Sequence, residues 1–232
     1  MTGGLRVLHW NIHSWKDAAG APNAHAVTAL IRDTAPDVVS LVEVNEPWGA
    51  PDALAEVAGE CGYSWTFVPC IEYGTDPSLR GYGNALLSRV PMAAVQQVSV
   101  YRPGRPYDGS EQRETRSLVL ARIGSWWVGG THFPASEHAS RKIAAQALHQ
   151  LTLRLSTPWV ICGDFNAPAG DLFGKYSGMR AAPLPAVASF PAKRPRKAID
   201  YCLASPEVTV TASILDVAGS DHLPLLVDVA VS

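Results

Sequence analysis

The chain has 232 residues with a formal net charge of −2, and 47% of its residues are hydrophobic while 17% are charged. This composition suits a globular interior and argues against a protein that coats nucleic acid by bulk positive charge. No apolar run reaches the ~18 to 20 residues of a membrane-spanning helix, and the first residues lack the pattern of a secretory signal, so we expect a cytoplasmic protein without a membrane anchor.

Short apolar runs rich in Val, Leu and Ile follow one another along the chain, which is typical of β-strands. The predicted strands span residues 6–12, 37–44, 84–89, 93–100, 117–123, 126–133, 159–165, 199–204, 208–215 and 223–231. Helices are predicted at 23–34, at 51–60 and at 136–155, the last with Ser136 as its N-cap. The apolar residues of this last helix recur at helical spacing and are Ile143, Ala147, Leu148, Leu151 and Leu155.

Many strands with few helices indicate two facing sheets with helices outside them. The predicted fold is a four-layer α/β/β/α sandwich, in which two mostly antiparallel β-sheets pack together and are flanked by helices. No linker or internal repeat divides the chain, so residues 1–232 are predicted to form a single domain. The long irregular stretch 167–198 contains a basic run, and long loops of this kind are often functional. That run consists of Lys193, Arg194, Arg196 and Lys197.

The four cysteines are far apart and form no CxxC pair. They are Cys61, Cys70, Cys162 and Cys202. This spacing favours small buried hydrophobic residues over a disulfide or a zinc site.

Polar side chains recur where the predicted strands begin or end. They are Asn11, Glu43, His132, Asp164, Asn166, Asp200, Asp221 and His222. A carboxylate beside a buried strand is costly unless a cation, hydrogen bonds or a changed protonation state offsets its desolvation. The repeated pattern therefore suggests that these groups converge on one site. Carboxylate, amide and imidazole groups without cysteine ligands fit Mg²⁺ or Mn²⁺ acting on a phosphate.

Eight short motifs occur in a fixed order along nearly the whole chain. They are WNIHSW, SLVEVNEP, GYGNALLSR, ETRSLVLARI, GGTHF, ICGDFNAP, AIDYCLAS and GSDHLPL. In this order they resemble the motifs of the endonuclease/exonuclease/phosphatase superfamily, a deoxyribonuclease-like group of metal-dependent hydrolases. GDFN followed by IDY and then by SDHLP is the most specific part of the pattern.

The resemblance implies a role for each matched residue. Glu43 would be the principal metal ligand, with Asn11 and Asp221 nearby in the metal shell. Asp164 would orient or deprotonate the attacking water, with Asn166 holding the water and the phosphate.

The histidines of the pattern are expected to act on the phosphate. His222 would bind the scissile phosphate and stabilise its developing charge, with its imidazole braced by Asp200. His132 stands where the deoxyribonuclease branch has its second histidine, so it is a candidate to protonate the leaving oxygen.

A substrate-binding group is also implied. Arg116 matches a family arginine near the phosphate, and Tyr82 and Asn84 fit the family pattern, although a glycine-shaped turn into a strand explains GYGN equally well. His13 stands where abasic-site enzymes tend to have an acidic residue, and His132 where they have a tyrosine. Both differences weaken a DNA-repair assignment.

The sequence therefore predicts a Mg²⁺- or Mn²⁺-dependent phosphoric ester hydrolase. A nuclease is narrowly favoured, because of His132 and the basic run, with DNA or RNA as the phosphorylated substrate. The alternative is a phosphatase or phosphodiesterase acting on a phospholipid, sphingomyelin or a sugar or inositol phosphate, which would suit the compact length and the absence of overall positive charge. A different class, a catalytically silent binding protein on the same fold, remains open, and no protein partner can be inferred.

Overall fold

The computed structural model of the protein describes residues 3–46, 52–71, 81–105, 108–156, 158–176, 180–181 and 188–231. In these ranges the helices are α1 (Ala24–Thr34), α2 (Ala53–Cys61), α3 (His138–Thr152) and α4 (Ala169–Phe173). None of the helices in these ranges is long and apolar enough to cross a membrane.

The strands form two six-stranded sheets. The first sheet contains β1 (Leu5–Asn11), β2 (Val38–Asn45), β3 (Ser64–Ile71), β4 (Tyr82–Ser88), β11 (Val208–Ile214) and β12 (Leu225–Val231), in the order β11-β12-β1-β2-β4-β3. The second sheet contains β5 (Met92–Tyr101), β6 (Arg116–Ile123), β7 (Trp126–His132), β8 (Trp159–Asp164), β9 (Arg180–Ala181) and β10 (Asp200–Ala204), in the order β5-β6-β7-β8-β10-β9. The parallel pairs are β1 with β2 and β7 with β8, while the other neighbouring strands are antiparallel.

Consecutive residues of the central strands pack into different layers. Val7 lies in the core between the two sheets, whereas Leu8 packs against α1 and α2 on the outer face of the first sheet. Successive side chains of a strand point to opposite faces, and both are buried here because both faces of the sheet are covered. A third cluster joins the outer face of the second sheet to α3 and α4. The predicted four-layer sandwich is therefore confirmed.

Each predicted strand is present within a few residues of its predicted limits, but β3 was missed. Its sequence SWTFVPCI contains Pro69 and is half-buried over much of its length, so neither a continuous apolar run nor a clear alternation marks it. The stretch 167–198, predicted to be irregular, also contains α4 and β9. Parts of this stretch, 177–179 and 182–187, lie outside the described residues.

Helix α3 differs in detail from its prediction. It begins at His138 after Glu137, so Ser136 is not its N-cap, and Glu137 makes no side-chain capping hydrogen bond. Ile143, predicted to face the core, is 56% exposed. Ala144 and Ala145 are buried instead, since small side chains let the helix approach the sheet closely and the apolar face is rotated by about one residue.

The cysteines agree with the prediction of a structural role. All four are free; three are buried, and Cys61 is half-buried.

Candidate active site

The predicted site residues meet because parallel strands end at the same edge of a sheet. Asn11 ends β1 and Glu43 lies near the end of β2, its parallel neighbour in the first sheet. In the second sheet His132 ends β7 and Asp164 ends β8, and the two residues are register partners. Asp200 starts the antiparallel strand β10 directly opposite Asp164. Polar side chains from five strands therefore lie together at one end of the sandwich.

Glu43 reaches this end through a bulge in β2. The pairing of β2 with β4 shifts between Leu41 and Val44, and Glu43 has a left-handed backbone with φ of 58°. A non-glycine residue in this conformation is strained, and such bulges re-aim a side chain. The carboxylate of Glu43 is thereby turned toward Asn11.

Asn11 links two carboxylates. Its Nδ2 donates to Glu43 Oε1 at 2.9 Å and to Asp164 Oδ2 at 3.1 Å. Burial raises the pKa of Glu43, and the hydrogen bond from Asn11 offsets only part of that effect. Burial and the charge of Asp200 raise the pKa of Asp164 to about 7. Glu43 and Asp164 are thus held close together, and the nearby positive charge is too small to keep both carboxylates ionised without a cost in free energy.

Asp200 and His222 form a buried pair. His222 Nδ1 donates to Asp200 Oδ2 at 2.8 Å, and His222 Nε2 lies 3.7 Å from Asp164 Oδ2. Burial lowers the pKa of His222, but the charges of Asp200 and Asp164 outweigh burial and raise it to about 10. Burial alone would raise the pKa of Asp200, yet the charge of His222 and its hydrogen bond hold that pKa below its usual range. The pair is therefore an ionised carboxylate and an imidazolium.

His132 is in the opposite state. Burial and then the positive charge of Arg116 lower the pKa of His132 well below its usual value. Arg116 NH1 lies 3.1 Å from His132 Nδ1, and Asn166 Nδ2 lies 3.1 Å from His132 Nε2, so a donor group faces each nitrogen of the ring. His132 Nε2 lies 3.5 Å from Asp164 Oδ2. The lowered pKa and the two neighbouring donors both favour a neutral imidazole at His132.

Arg116 is itself held by an acidic residue that the sequence analysis missed. Its NH2 lies 2.7 Å from Glu114 Oε2, and the two side chains are 1% and 8% exposed. Burial raises the pKa of Glu114 to about 7, against the opposing effect of Arg116.

Asn166 follows Asp164 in a left-handed conformation with φ of 53°. Its backbone N–H donates to Asp164 Oδ1 at 2.9 Å, and its Nδ2 donates to the carbonyl of Phe133 at 3.0 Å. Both oxygens of Asp164 are therefore engaged, one by Asn11 and one by Asn166.

These groups surround a cavity of about 430 Å³. Of the predicted site residues, the cavity is lined by Glu43, Tyr82, Arg116, His132, Asp164, Asn166, Asp221 and His222. Asn11 and Asp200 lie behind this wall and contact it through the hydrogen bonds described above. Asn84 does not line the cavity, because it is buried and its Nδ2 donates to the carbonyl of Ser117 at 2.7 Å. We therefore assign Asn84 no contact with a substrate.

Further residues line or support the cavity and were given no role from the sequence, among them His13, Phe190 and Ser189. His13 lines it and its Nδ1 lies 3.8 Å from Asp221 Oδ1. Phe190 lines it and its ring centroid lies 4.6 Å from that of His222. Ser189 Oγ donates to Asp200 Oδ2. Ser189 and Phe190 lie in the irregular stretch 167–198, where no periodic pattern could assign them a position.

The arrangement combines an acidic cluster with an imidazolium and a buried guanidinium around one cavity. Such a set can hold a cation and an anion side by side, which is the requirement for metal-assisted chemistry on a phosphate.

Comparisons with known proteins identify the family of the chain. A model of the endonuclease/exonuclease/phosphatase family matches residues 8–222, and the chain belongs to this family. A comparison with curated proteins finds no match.

Solved structures of the same architecture cover almost the whole chain. An endonuclease/exonuclease/phosphatase of Beutenbergia cavernae DSM 12333 is 24% identical over 99% of this chain and 72% of its own, with a TM-score of 0.75. A mannosyl-6-phosphatase of Bacteroides thetaiotaomicron VPI-5482 is 14% identical over 97% and 99%, with a TM-score of 0.73. D. rerio TDP2 in complex with a single-strand DNA product is 13% identical over 97% and 98%, with a TM-score of 0.72. At these identities the likeness shows the fold alone.

Proposed function

We propose that this protein is a phosphoesterase that uses Mg²⁺ or Mn²⁺ and that residues 1–232 form a single catalytic domain. The observation that carries the proposal is the contact of Asp164 with His222, a carboxylate with a pKa of about 7 beside an imidazole with a pKa of about 10. A base and a positive charge side by side at a cavity wall suit the attack of water on a phosphate. The cytoplasmic location remains a prediction from the sequence.

The residues present fit a hard divalent cation. Glu43 and Asp221 offer carboxylate oxygens, as Mg²⁺ and Mn²⁺ prefer, and the raised pKa of Glu43 indicates a buried acid that a cation would stabilise. Asn11 would offer its amide oxygen, which here accepts from the backbone N–H of His13. When bound there, the cation would neutralise charge on the phosphate. Ligand atoms of Asp164, Asp200 and His222 also lie within 4.8 Å of one another. We favour the Glu43 position because Asp200 and His222 are already hydrogen-bonded to each other and His222 carries a positive charge.

The remaining groups act on the water and the phosphate. Asp164 accepts a proton from the attacking water or orients it, since a pKa near 7 leaves a basic carboxylate at neutral pH. His222, kept charged by Asp200, binds the scissile phosphate through Nε2 and stabilises the charge that builds up on it. Asn166 holds the phosphate or the water, and Arg116 adds a fixed positive charge to the cavity wall.

His132 differs from the role that the family resemblance implies. Because burial and Arg116 lower its pKa, we propose that His132 is a neutral imidazole that positions the side chain of Asn166 through Nε2, rather than a charged acid toward the leaving oxygen.

A nucleic acid is the substrate that we narrowly favour. A second cavity of about 630 Å³ shares Ile71 with the first and is lined by Arg102, Arg105 and Arg113. Lys197 of the basic run lies with Nζ 5.4 Å from the ring centroid of Phe190, which itself packs on His222. Positive charge therefore flanks the site on two sides, as a chain of phosphates requires.

A sugar or lipid phosphate is the alternative substrate. The fold is shared with a mannosyl-6-phosphatase as well as with a protein solved with a DNA product, so the fold supports both classes. A binding protein without turnover would be expected to lose one of the acidic groups, whereas Glu43, Asp164, Asp200 and Asp221 are all kept.

The test is hydrolysis of a substrate panel with Mg²⁺, with Mn²⁺ and with EDTA. The panel contains bis-p-nitrophenyl phosphate, p-nitrophenyl phosphate, single-stranded DNA, plasmid DNA, RNA, sphingomyelin, an inositol phosphate and a hexose 6-phosphate. Asp164→Asn is the inactive variant, and Asp33→Asn on the exposed side of α1 is its matched control. Cation-dependent turnover that is lost only in Asp164→Asn supports the proposal. Turnover that Asp164→Asn retains would overturn it.

A further inference from the structure

His9 is a fully buried residue to which the proposed reaction gives no role. It lies in β1 two residues before Asn11, so both side chains point from the first sheet toward the second. His9 Nδ1 lies 3.0 Å from Ser40 Oγ, and His9 Nε2 lies 3.7 Å from Asp200 Oδ1. A chain of polar groups thus runs from the core between the sheets to the active site.

The two atoms that face each other at the active-site end of this chain are His9 Nε2 and Asp200 Oδ1. Among the described residues, neither His9 Nε2 nor Asp200 Oδ1 has a hydrogen-bond partner within bonding distance, and both side chains are at most 1% exposed. Buried polar atoms of this kind are rare and costly unless they are paired. A contraction of a few tenths of an ångström would pair these two.

The surrounding strands make room for the arrangement. A side-chain Cβ at Gly130 of β7 would lie 2.3 Å from Ser40 Oγ. The second sheet therefore carries a glycine at the point where the Ser40 hydroxyl approaches it. The register of β1 with β2 places His9 and Ser40 side by side.

Hydrogen-bond chemistry fixes the direction of the chain. Asp200 can only accept, so pairing with His9 requires a proton on Nε2, and the remaining Nδ1 of a neutral ring would accept from the hydroxyl of Ser40. His9 Nε2 is then the group that faces Asp200 Oδ1, at 3.7 Å, while Oδ2 is hydrogen-bonded by His222 and Ser189. In the described part of the chain, no other group is hydrogen-bonded to Oδ1.

We propose that His9, oriented by Ser40, is a positioning residue that fixes the carboxylate of Asp200 and, through it, the ring of His222 opposite Asp164. The inference rests on the proposed function, since it gives His9 a part in the same reaction. His9 itself touches neither the cavity nor a substrate. Its effect is on the geometry of the catalytic imidazole.

Three substitutions of His9 separate this role from simple packing. His9→Gln places an amide nitrogen near the position of Nε2 and can still donate to Asp200. His9→Asn reaches only the position of Nδ1, so it can keep the contact with Ser40 but not the one with Asp200. His9→Leu keeps a similar volume and loses both contacts. Val128→Ala, in the core between the sheets and away from the site, is the control for lost stability alone.

The first measurement is kcat and KM with bis-p-nitrophenyl phosphate, with the unfolding midpoint of every variant recorded beside it. We expect kcat to fall about 10-fold in His9→Leu and His9→Asn and less than about 3-fold in His9→Gln, with KM little changed, because a lost outer contact of a catalytic ligand typically costs 10- to 100-fold. Val128→Ala should lose stability but keep kcat. If kcat follows the unfolding midpoint rather than the presence of a donor to Asp200, the proposal is wrong.

The second measurement does not need turnover. The Nδ1 proton of His222, shared with Asp200, should give a downfield proton resonance, identified by its loss in His222→Gln. This resonance should shift in His9→Leu and His9→Asn and stay near its wild-type position in His9→Gln. An unchanged resonance in a folded His9→Leu protein would overturn the proposal. If the resonance shifts in this order across the three variants but the wild-type protein hydrolyses no substrate, the proposed function is wrong and the positioning contact still holds.

Discussion

Asp164 Oδ2 and His222 Nε2 lie 3.7 Å apart, and the pKa values of the two residues are raised for opposite reasons. Burial and the charge of Asp200 disfavour the carboxylate of Asp164, whereas Asp200 and Asp164 together favour the charged form of His222. Each residue thus shifts the protonation equilibrium of the other. The two pKa values belong to the coupled pair, so a substitution of either residue is expected to move both.

The first prediction concerns the pH dependence of turnover. The proposed mechanism needs an ionised Asp164 and a protonated His222, so kcat/KM should be bell-shaped, rising through about pH 7 and falling through about pH 10. A cation held beside Asp164 would favour its ionised form. If Mn²⁺ binds more tightly, it should therefore move the acidic limb of the profile to lower pH. His222→Gln should lower turnover by orders of magnitude and remove the alkaline limb from what remains. If His222→Gln still showed the alkaline limb, that limb would belong to another group.

The second prediction concerns the stability of the protein without metal. The folded-state pKa of Asp164 lies above the value of 3.8 expected for the unfolded chain, so between about pH 4 and pH 7 the folded state binds more protons. The free energy of unfolding should therefore fall as the pH rises through this window, by up to about 1.4 kcal/mol per pH unit for one proton. Denaturant titrations in EDTA measure this slope. Asp164→Asn should flatten it, and an equal slope in both proteins would contradict the assignment.

His222 contributes in a higher window. Its folded-state pKa of about 10 lies above the value of 6.5 expected for the unfolded chain, so its contribution is complete below about pH 6.5 and is lost as the pH rises toward 10. We expect the unfolding free energy of the metal-free protein to decline over this range in wild type and not in His222→Gln. The same denaturant titrations, extended to pH 10, supply the comparison.

A third prediction concerns the cation. Mg²⁺ or Mn²⁺ should raise the melting temperature of the wild-type protein, because a ligand that binds only the folded state stabilises it by about 2.7 kcal/mol at 100 times its dissociation constant. Glu43→Gln should lose most of this shift, because it removes the charged ligand at the bulge of β2. Glu60→Gln, on an exposed part of α2, is the matched control and should keep the shift. If Glu43→Gln kept the full shift, the cation would bind elsewhere, with the Asp164, Asp200 and His222 group as the next candidate.

The fold, and the convergence of most residues of the candidate site, could be predicted from the sequence because both follow from the residues at strand ends. Asn11 and Asp164 end apolar runs in parallel strand pairs, and parallel strands that end together must bring such groups to one edge. His9 was passed over because an isolated histidine in an apolar run does not reveal its partner. Its spacing of two from Asn11 was the available signal, since it places both side chains on the same face of β1.

Other features could not be obtained from local patterns. The bulge that turns Glu43 is a property of the pairing between β2 and β4 rather than of the sequence VVSLVEVN. The neutral state of His132 depends on Arg116, which is 16 residues away in the chain and 3.1 Å away in space. Ser189 and Phe190 reach the site from an irregular stretch whose path no periodicity defines.

A fourth prediction concerns the buried pair of Arg116 and Glu114. Arg116→Gln should raise the pKa of His132, because it removes the positive charge next to Nδ1, and it should destabilise the protein by about 3–5 kcal/mol, because Glu114 is left buried without a partner. The double variant with Glu114→Gln should recover much of that loss. Histidine titration by NMR and denaturant unfolding measure the two effects. A double variant no more stable than Arg116→Gln would show that the loss comes from packing rather than from the unpaired charge.

The last prediction concerns the arginine-lined cavity that shares Ile71 with the active site. Arg113 is engaged by Asp108 at 2.5 Å, so Arg102 and Arg105 are the residues from which we expect contacts to a second phosphate of an extended substrate. The double variant Arg102→Gln/Arg105→Gln should raise KM for a single-stranded oligonucleotide about 10-fold and leave bis-p-nitrophenyl phosphate turnover unchanged, because the smaller substrate has one phosphate.

Salt dependence makes this prediction specific. Each lost phosphate contact should reduce the slope of log(kcat/KM) against log[salt] by about 0.7 for a single strand, because fewer counterions are released on binding. Arg122→Gln, an exposed arginine of β6 outside both cavities, is the matched control and should leave the slope unchanged. A double variant with an unaltered slope would remove the arginine-lined cavity as support for a nucleic-acid substrate. The preference would then pass to a small phosphorylated sugar, whose single phosphate needs only the site formed by His222, Arg116 and Glu43.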